Sequence, residues 1–103
     1  MKDNVVKDKS LEFAVRIVNL YKFLVNEQKE FVMSKQILRS GTSIGANIRE
    51  AEQAQSRADF INKLNIALKE ANETEYWLEL LIRTEYITRE QYESINNDST
   101  EIN

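Results

Sequence analysis

Not one proline interrupts the 103-residue chain, and its only two glycines, Gly41 and Gly45, stand four residues apart. Leu, Ile, Ala, Glu, Lys and Gln are abundant, so nothing in the composition stops a helix and much of it promotes one. Periodicity agrees. Leu11, Ala14, Val18, Tyr21 and Val25 recur at 3,4,3,4 spacing, and Phe13, Ile17, Leu20 and Leu24 form a second stripe beside them. That face is wider than a single partner helix requires. With Ser10 as its N-cap, the pattern predicts a first helix over about 11–26.

A second helix starts near Ser34, with Ile37, Leu38, Gly41, Ile44, Gly45, Ile48 and Ala51 on its apolar side. Ser56 opens the third and longest segment, with Asp59 three residues on as in a capping box. There Ile61, Leu64, Leu68, Ala71, Leu78 and Ile82 hold a 3,4 rhythm, broken where Glu75 takes the seam position. Trp77 and Leu80 project to another side, and the helix should end near 84–86. Thr88 caps a fourth segment with Gln91 completing its capping box, and Tyr92, Ile95, Ser99 and Ile102 share a stripe. The run 96–100 forms helix poorly, so this fourth helix is expected to be short or truncated. The sum is a single domain over 1–103, an all-α, up-and-down antiparallel four-helix bundle. Surplus apolar stripes on the first and third helices predict self-association.

Two glycines inside a helix cost about 1 kcal/mol each relative to alanine, so something must offset them. A phosphate-cradling loop would explain the run Ser40, Gly41, Thr42, Ser43, Ile44, Gly45 and Ala46. The Walker pattern, however, needs a Lys-Ser/Thr pair after its last glycine, and Ala46-Asn47 stands there. The structural reading is a small surface on Ser40, Gly41, Thr42, Ser43, Gly45 and Ala46 that lets a neighbouring helix come close, with a kink at Gly41 as the alternative.

The residue types that are missing exclude whole classes of chemistry. With no Cys and no His there is no thiolate nucleophile, imidazole base, usual zinc site or disulfide. Glu50, Glu52, Glu70, Glu73 and Glu75 invite a test as a bundle di-metal site, but such sites need Glu-x-x-His pairs, so no metal or other cofactor is expected. An acid–base glutamate pair lacks a cleft to work in. These acids are expected instead to pair with Arg49, Lys63 and Lys69, with Lys69–Glu73 and Glu79–Arg83 as pairs within one helix. A buried Arg49–glutamate contact would fix register between helices. No leader and no long apolar run is present, which predicts a cytoplasmic protein without membrane contact.

The net charge of −3 conceals an asymmetry. Residues 1–69 hold 12 basic and 8 acidic side chains, whereas 70–103 hold 2 and 9. Lys35, Arg39, Thr42, Ala46, Arg49 and Gln53 line one side of the second helix and place three cations there. Lys35, Arg39 and Arg49 are therefore the candidates for contact with RNA or DNA phosphates. No aromatic residue interleaves them, so base stacking is not indicated.

The stretch 36–51, which reads QILRSGTSIGANIREA, the stretch 56–61, SRADFI, and the stretch 67–78, ALKEANETEYWL, together resemble the bacterial four-helix-bundle family named after the 23S rRNA intervening sequence. The resemblance covers the first three helices and the start of the fourth. It implies a homopentamer with a central channel, and assigns structural pairing to Asn47, Arg49, Glu50, Glu70 and Glu73. The family is similar in fold to the accessory variability determinant of diversity-generating retroelements, a pentamer that binds nucleic acid and partners a reverse transcriptase. The implied function is a noncatalytic homopentameric scaffold that binds RNA or DNA weakly through a localised basic stripe, or binds a reverse-transcriptase-like or other nucleic-acid-handling protein. The alternative is a structural or protein-interaction module with no nucleic-acid affinity.

Overall fold

The computed structural model describes residues 3–102. Four helices follow one another: α1 (Asp3–Asn26), α2 (Met33–Glu52), α3 (Arg57–Arg83) and α4 (Arg89–Ile102). Among the described residues, backbones approach closely between α1 and α2, α2 and α3, α3 and α4, and α4 and α1, so α1 and α3 stand diagonally, as do α2 and α4. Cross-helix pairs give the directions. Lys7 meets Glu52 while Ile17 faces Gly41; Glu50 meets Lys63 while Ser40 meets Thr74. Every neighbour is thus antiparallel, and α1 and α3 run parallel.

The turns follow from local chemistry. Ser56 Oγ accepts from Asp59 N at 3.1 Å, and Thr88 and Gln91 exchange both capping-box bonds at 2.8 and 3.1 Å. The start of α2 is held by a residue that the sequence pattern did not single out. The Glu30 carboxylate, buried, accepts from Val32 N, Met33 N and Ser34 N at 3.2, 3.0 and 2.7 Å. It satisfies amides that otherwise lack partners and meets the positive end of the helix dipole. At the other end of α3, Glu85 takes a left-handed conformation so that Tyr86 N donates to Leu81 O and Glu85 N to Ile82 O. Lys29 does the same after α1. Neither of the chain's glycines is used in these turns.

Both glycines lie inside α2, which runs unbroken, without the alternative kink. A Cβ on Gly41 would stand 2.7 and 2.9 Å from Ile17 Cγ1 and Cγ2, and one on Gly45 would stand 3.2 Å from Ser10 Oγ and 3.3 Å from Ser10 O. The glycines therefore set how closely α1 and α2 approach. Ser10 is correspondingly not an N-cap. Because Val5 and Val6 continue the helix upstream, Ser10 falls in its interior, buried, with Oγ donating to Lys7 O.

The core holds Phe13, Ile17, Leu20 and Leu24 of α1, Ile37, Ile44 and Ile48 of α2, Ala67, Ala71, Leu78 and Leu81 of α3, and Ile87 and Ile95 near and on α4. On α3 the seam differs from the expected one. Ala67, Ala71, Thr74, Leu78 and Leu81 are buried, whereas Ile61, Leu64 and Leu68 are exposed. Ala71 and Leu78 are buried as expected, and the small Ala67, not Leu64 or Leu68, continues the seam because it lets α2 lie close. Thr74, not Glu75, is the polar seam residue; its hydroxyl and that of Ser40 hydrogen-bond at 3.0 Å. Glu75 accepts from Ser99 of α4 at 3.4 Å.

α4 is helical through 96–100 but has only 14 residues against 27 in α3, so it is about 20 Å shorter. Arg16 anchors it to α1 by donating to Asp98 Oδ2 at 2.7 Å and Ser94 Oγ at 2.9 Å. Ile102 lines a trough together with Val6 of α1, Ile48 of α2 and Leu64 and Leu68 of α3. The glycine contacts make a direct prediction about stability. Gly41→Ala gains about 1 kcal/mol of helix propensity but drives a methyl into a stiff, fully buried isoleucine, for a net loss of about 1–3 kcal/mol in urea unfolding. Gly45→Ala should lose clearly less, because its contacts are merely tight.

Candidate functional surface

The polar residues of α2 divide between its two neighbours. Towards α3, Arg39 Nη1 pairs with Glu70 Oε1 at 3.3 Å while Nη2 pairs with Glu73 Oε2. Trp77 Nε1 donates to the same Glu73 oxygen at 3.2 Å, and its ring meets Tyr76 edge-on with centroids 5.1 Å apart. The guanidinium and the indole hold the Glu73 carboxyl below the usual carboxylate range, the Arg39 hydrogen bond contributing most. The two glutamates in turn raise Arg39 further above its ordinary value. This cluster lies over the buried Ser40–Thr74 hydroxyl pair, so one strip of α2 joins α3 by both polar and apolar contact.

These contacts decide what each candidate residue is free to do. Arg39 is shared between two carboxylates while 51% of its side chain stays exposed. Glu73 turns to Arg39 rather than to Lys69. Glu50 pairs with Lys63 at 2.9 Å, and Glu52 with Lys7 at 3.4 Å. Arg83 and Glu79 form the expected pair at 2.9 Å. Arg49 is exposed and, among the described residues, has no acidic partner, so no buried Arg49–glutamate contact sets the register. Lys35 is likewise exposed and without an ion pair. Asn47 Nδ2 donates to Ser43 O at 2.9 Å, a bond within its own helix.

The small-residue run cannot serve as an anion cradle in this conformation. Thr42 Oγ1 donates to Leu38 O at 2.7 Å and Ser43 Oγ to Arg39 O at 2.6 Å, so both hydroxyls close back on their own helix. Ser40 faces α3, Gly41 and Gly45 face α1, and Ala46 is exposed. The run divides itself over three sides and converges on no single point. Among the described residues no group of three or more His, Cys, Asp or Glu is placed to hold a metal ion, and no helix is long and apolar enough to cross a membrane.

Besides Lys35 and Arg49, large apolar side chains also remain exposed. Leu11 and Val15 of α1 are 52% and 54% exposed, and Ile61 and Leu68 of α3 are 43% and 51% exposed. Phe60 and Leu64 extend the second patch. Beside Leu11, a shallow groove of about 210 Å³ runs between α1 and α2 over Ala14, Thr42, Gly45 and Ala46. It is the outer side of the close contact that the glycines permit. Sequence periodicity had marked Leu11 as part of a surplus stripe but not Val15, and had placed Ile61, Leu64 and Leu68 in the seam, where the structure leaves them exposed.

The Arg39–Glu73 pair makes stability depend on pH in a definite sense. Glu73 has a lowered pKa in the folded chain, so its contribution is complete above the unfolded carboxylate value near 4.5 and is lost as pH falls through the lower folded value. Both partners are more than a third exposed, at 51% and 36%, so screening limits the effect to about 1 kcal/mol or less. Glu73→Gln should therefore lower stability at pH 7 and flatten its decline between about pH 5 and 3, as read from denaturant midpoints across that range.

The chain matches the sequence pattern of the 23S rRNA-intervening sequence protein family over residues 2–103. No curated protein matches it. Among solved structures, a protein of unknown function from the S23 ribosomal protein family of Bacteroides thetaiotaomicron VPI-5482 is similar, with 98% identity and a TM-score of 0.95 over 100% of this chain and 89% of that one. Motif series, helix order and backbone agree, and the chain belongs to the 23S rRNA-intervening sequence protein family.

Proposed function

We propose that the protein is a noncatalytic scaffold that works by assembling with copies of itself, as a homopentamer, in the cytoplasm. The observation that carries this reading is the pair of apolar patches, Leu11 with Val15 on α1 and Ile61 with Leu68 on α3, left exposed to solvent. A small protein that exposes large aliphatic side chains along two helices has surface suited to other protein. The number five comes from the family resemblance. Noncatalytic action is supported by the carboxylates, since Glu50 pairs with Lys63, Glu52 with Lys7, Glu70 and Glu73 share Arg39, and Glu75 accepts from Ser99.

Protein interaction is the better supported use of the scaffold. A second reading, weak contact with RNA or DNA, rests on Lys35 and Arg49, exposed on α2 and without ion-pair partners. With Arg39 neutralised, these two cations stand about 21 Å apart along the helix, sparse for a phosphate-tracking surface unless repeated around a ring.

Light scattering across a micromolar concentration series tests the assembly. The expected mass is about five times the 12.1 kDa of the chain, and a monomer throughout would overturn the proposal. Anisotropy titrations with structured RNA, single-stranded DNA and duplex DNA separate the two readings. Protein interaction alone predicts no saturable binding at low salt, whereas salt-sensitive binding abolished by Lys35→Glu with Arg49→Glu would favour the nucleic-acid reading.

A further inference from the structure

We propose that α4 is a strap, hinged at Thr88, that lifts off as a unit while α1, α2 and α3 stay folded. The helices differ in what holds them down. α2 seats Ile37, Ile44, Ile48 and Ala51 in the core, and α3 seats Ala67, Ala71, Leu78 and Leu81. Among the described residues of α4 only Ile95 and Ser99 are buried, and the second offers a hydroxyl where the other helices offer an aliphatic side chain. Tyr92 and Ile102 pack against the core half-buried. The run Asn96, Asn97, Asp98, Ser99 and Thr100 forms helix poorly by itself, so its helical state depends on the neighbours that hold it.

That hold is loose along the seam with α1. Two grooves open there, one of about 330 Å³ bordered by Leu20, Phe23 and Ile95, the other of about 230 Å³ bordered by Phe13 and Asp98; Arg16 borders both. Arg16 is thus the latch between two gaps. Its guanidinium donates to Ser94 Oγ and Asp98 Oδ2, but the Arg16 and Asp98 side chains are 40% and 38% exposed, so water competes for the bond. On the side of α3 the polar tie is Ser99 to Glu75 at 3.4 Å, long for a hydroxyl donor. The other end of α4 is fixed differently. Ile87 is buried, Tyr86 N donates to Leu81 O, and Tyr86 O accepts from Gln28 Nε2 at 3.1 Å. The connection therefore stays with the body, and release begins beyond Thr88. Lifting α4 bares Phe13 and Leu20 on a body that keeps its glycine contact between α1 and α2 and its polar strip between α2 and α3. A detached segment of this length and composition does not stay helical, so the open strap is unfolded.

The chain has no cysteine, so a single introduced thiol reports opening at its own site. Ser99→Cys on α4 and Ser40→Cys on α2 are nearly isosteric changes at buried positions. Under identical conditions, an aromatic disulfide reagent should label Ser99→Cys at least about 100-fold faster than Ser40→Cys. The faster rate should rise only slightly with urea and the slower one steeply, because global unfolding alone bares position 40. Equal rates with equal urea dependence would overturn the strap. Native-state hydrogen exchange of the unsubstituted chain gives a second reading. Amides 93–100 should share one opening that precedes exchange of the core amides of α2 and α3. Exchange in step with that core, or a gradient falling away from the C-terminal end as simple fraying gives, would also overturn it. Arg16→Gln should raise the labelling rate of Ser99→Cys roughly threefold; an unchanged rate would overturn Arg16 as the latch.

Discussion

The approach of α1 to α2 at Gly41 and Ile17 is the constraint from which the rest of the architecture follows. With a Cβ at Gly41 pressing 2.7 Å from Ile17, the two helices could not hold their present separation. Once they do, Ile17, Ile37 and Ile44 enclose one side of the core, and the opposite flank of α2 is turned towards α3. There Ser40 reaches Thr74 and, one residue earlier, Arg39 reaches Glu70 and Glu73. α2 is thus held on one side by the absence of side chains and on the other by paired polar groups. α4 completes the ring of helices through Arg16, Asp98 and the Glu75–Ser99 contact.

Much of this was legible in the sequence, for identifiable reasons. The lack of proline, the 3,4 rhythms and the capping boxes at Ser56 and Thr88 are local signals, and local signals fixed the helix order and most of the boundaries. The failures came where two elements compete. Ser10 has the chemistry of a cap, but Val5 and Val6 extend the helix past it, and its size serves the packing of Gly45 instead. On α3 the expected seam holds at Ala71 and Leu78, but only the nearness of α2 decides that Ala67 is buried and that Leu64 and Leu68 are not. Glu30 went unnoticed because it caps from outside the usual N-cap position, with its carboxylate folded back on three amides.

The candidate site was less legible than the fold. Three cations on one side of α2 read as an available stripe in sequence, but availability depends on what α3 brings alongside, and Glu70 and Glu73 claim Arg39. The hydroxyls of Thr42 and Ser43 are claimed by their own helix. The polar groups of α2 that meet α3 are thus consumed in building the bundle, whereas aliphatic groups on α1 and α3 remain in solvent. These exposed aliphatic faces are the physical basis for reading the chain as a component of an assembly.

The central claim is that these aliphatic faces are covered by other copies of the chain. Hydroxyl-radical footprinting of the wild type at protein concentrations below and above assembly tests it residue by residue. The account predicts that Leu11, Val15, Ile61 and Leu68 lose reactivity together as assembly proceeds. Phe31 and Val32, exposed in the α1–α2 connection, should stay reactive. Unchanged labelling of the two helical faces, or protection confined to Phe31 and Val32, would contradict it.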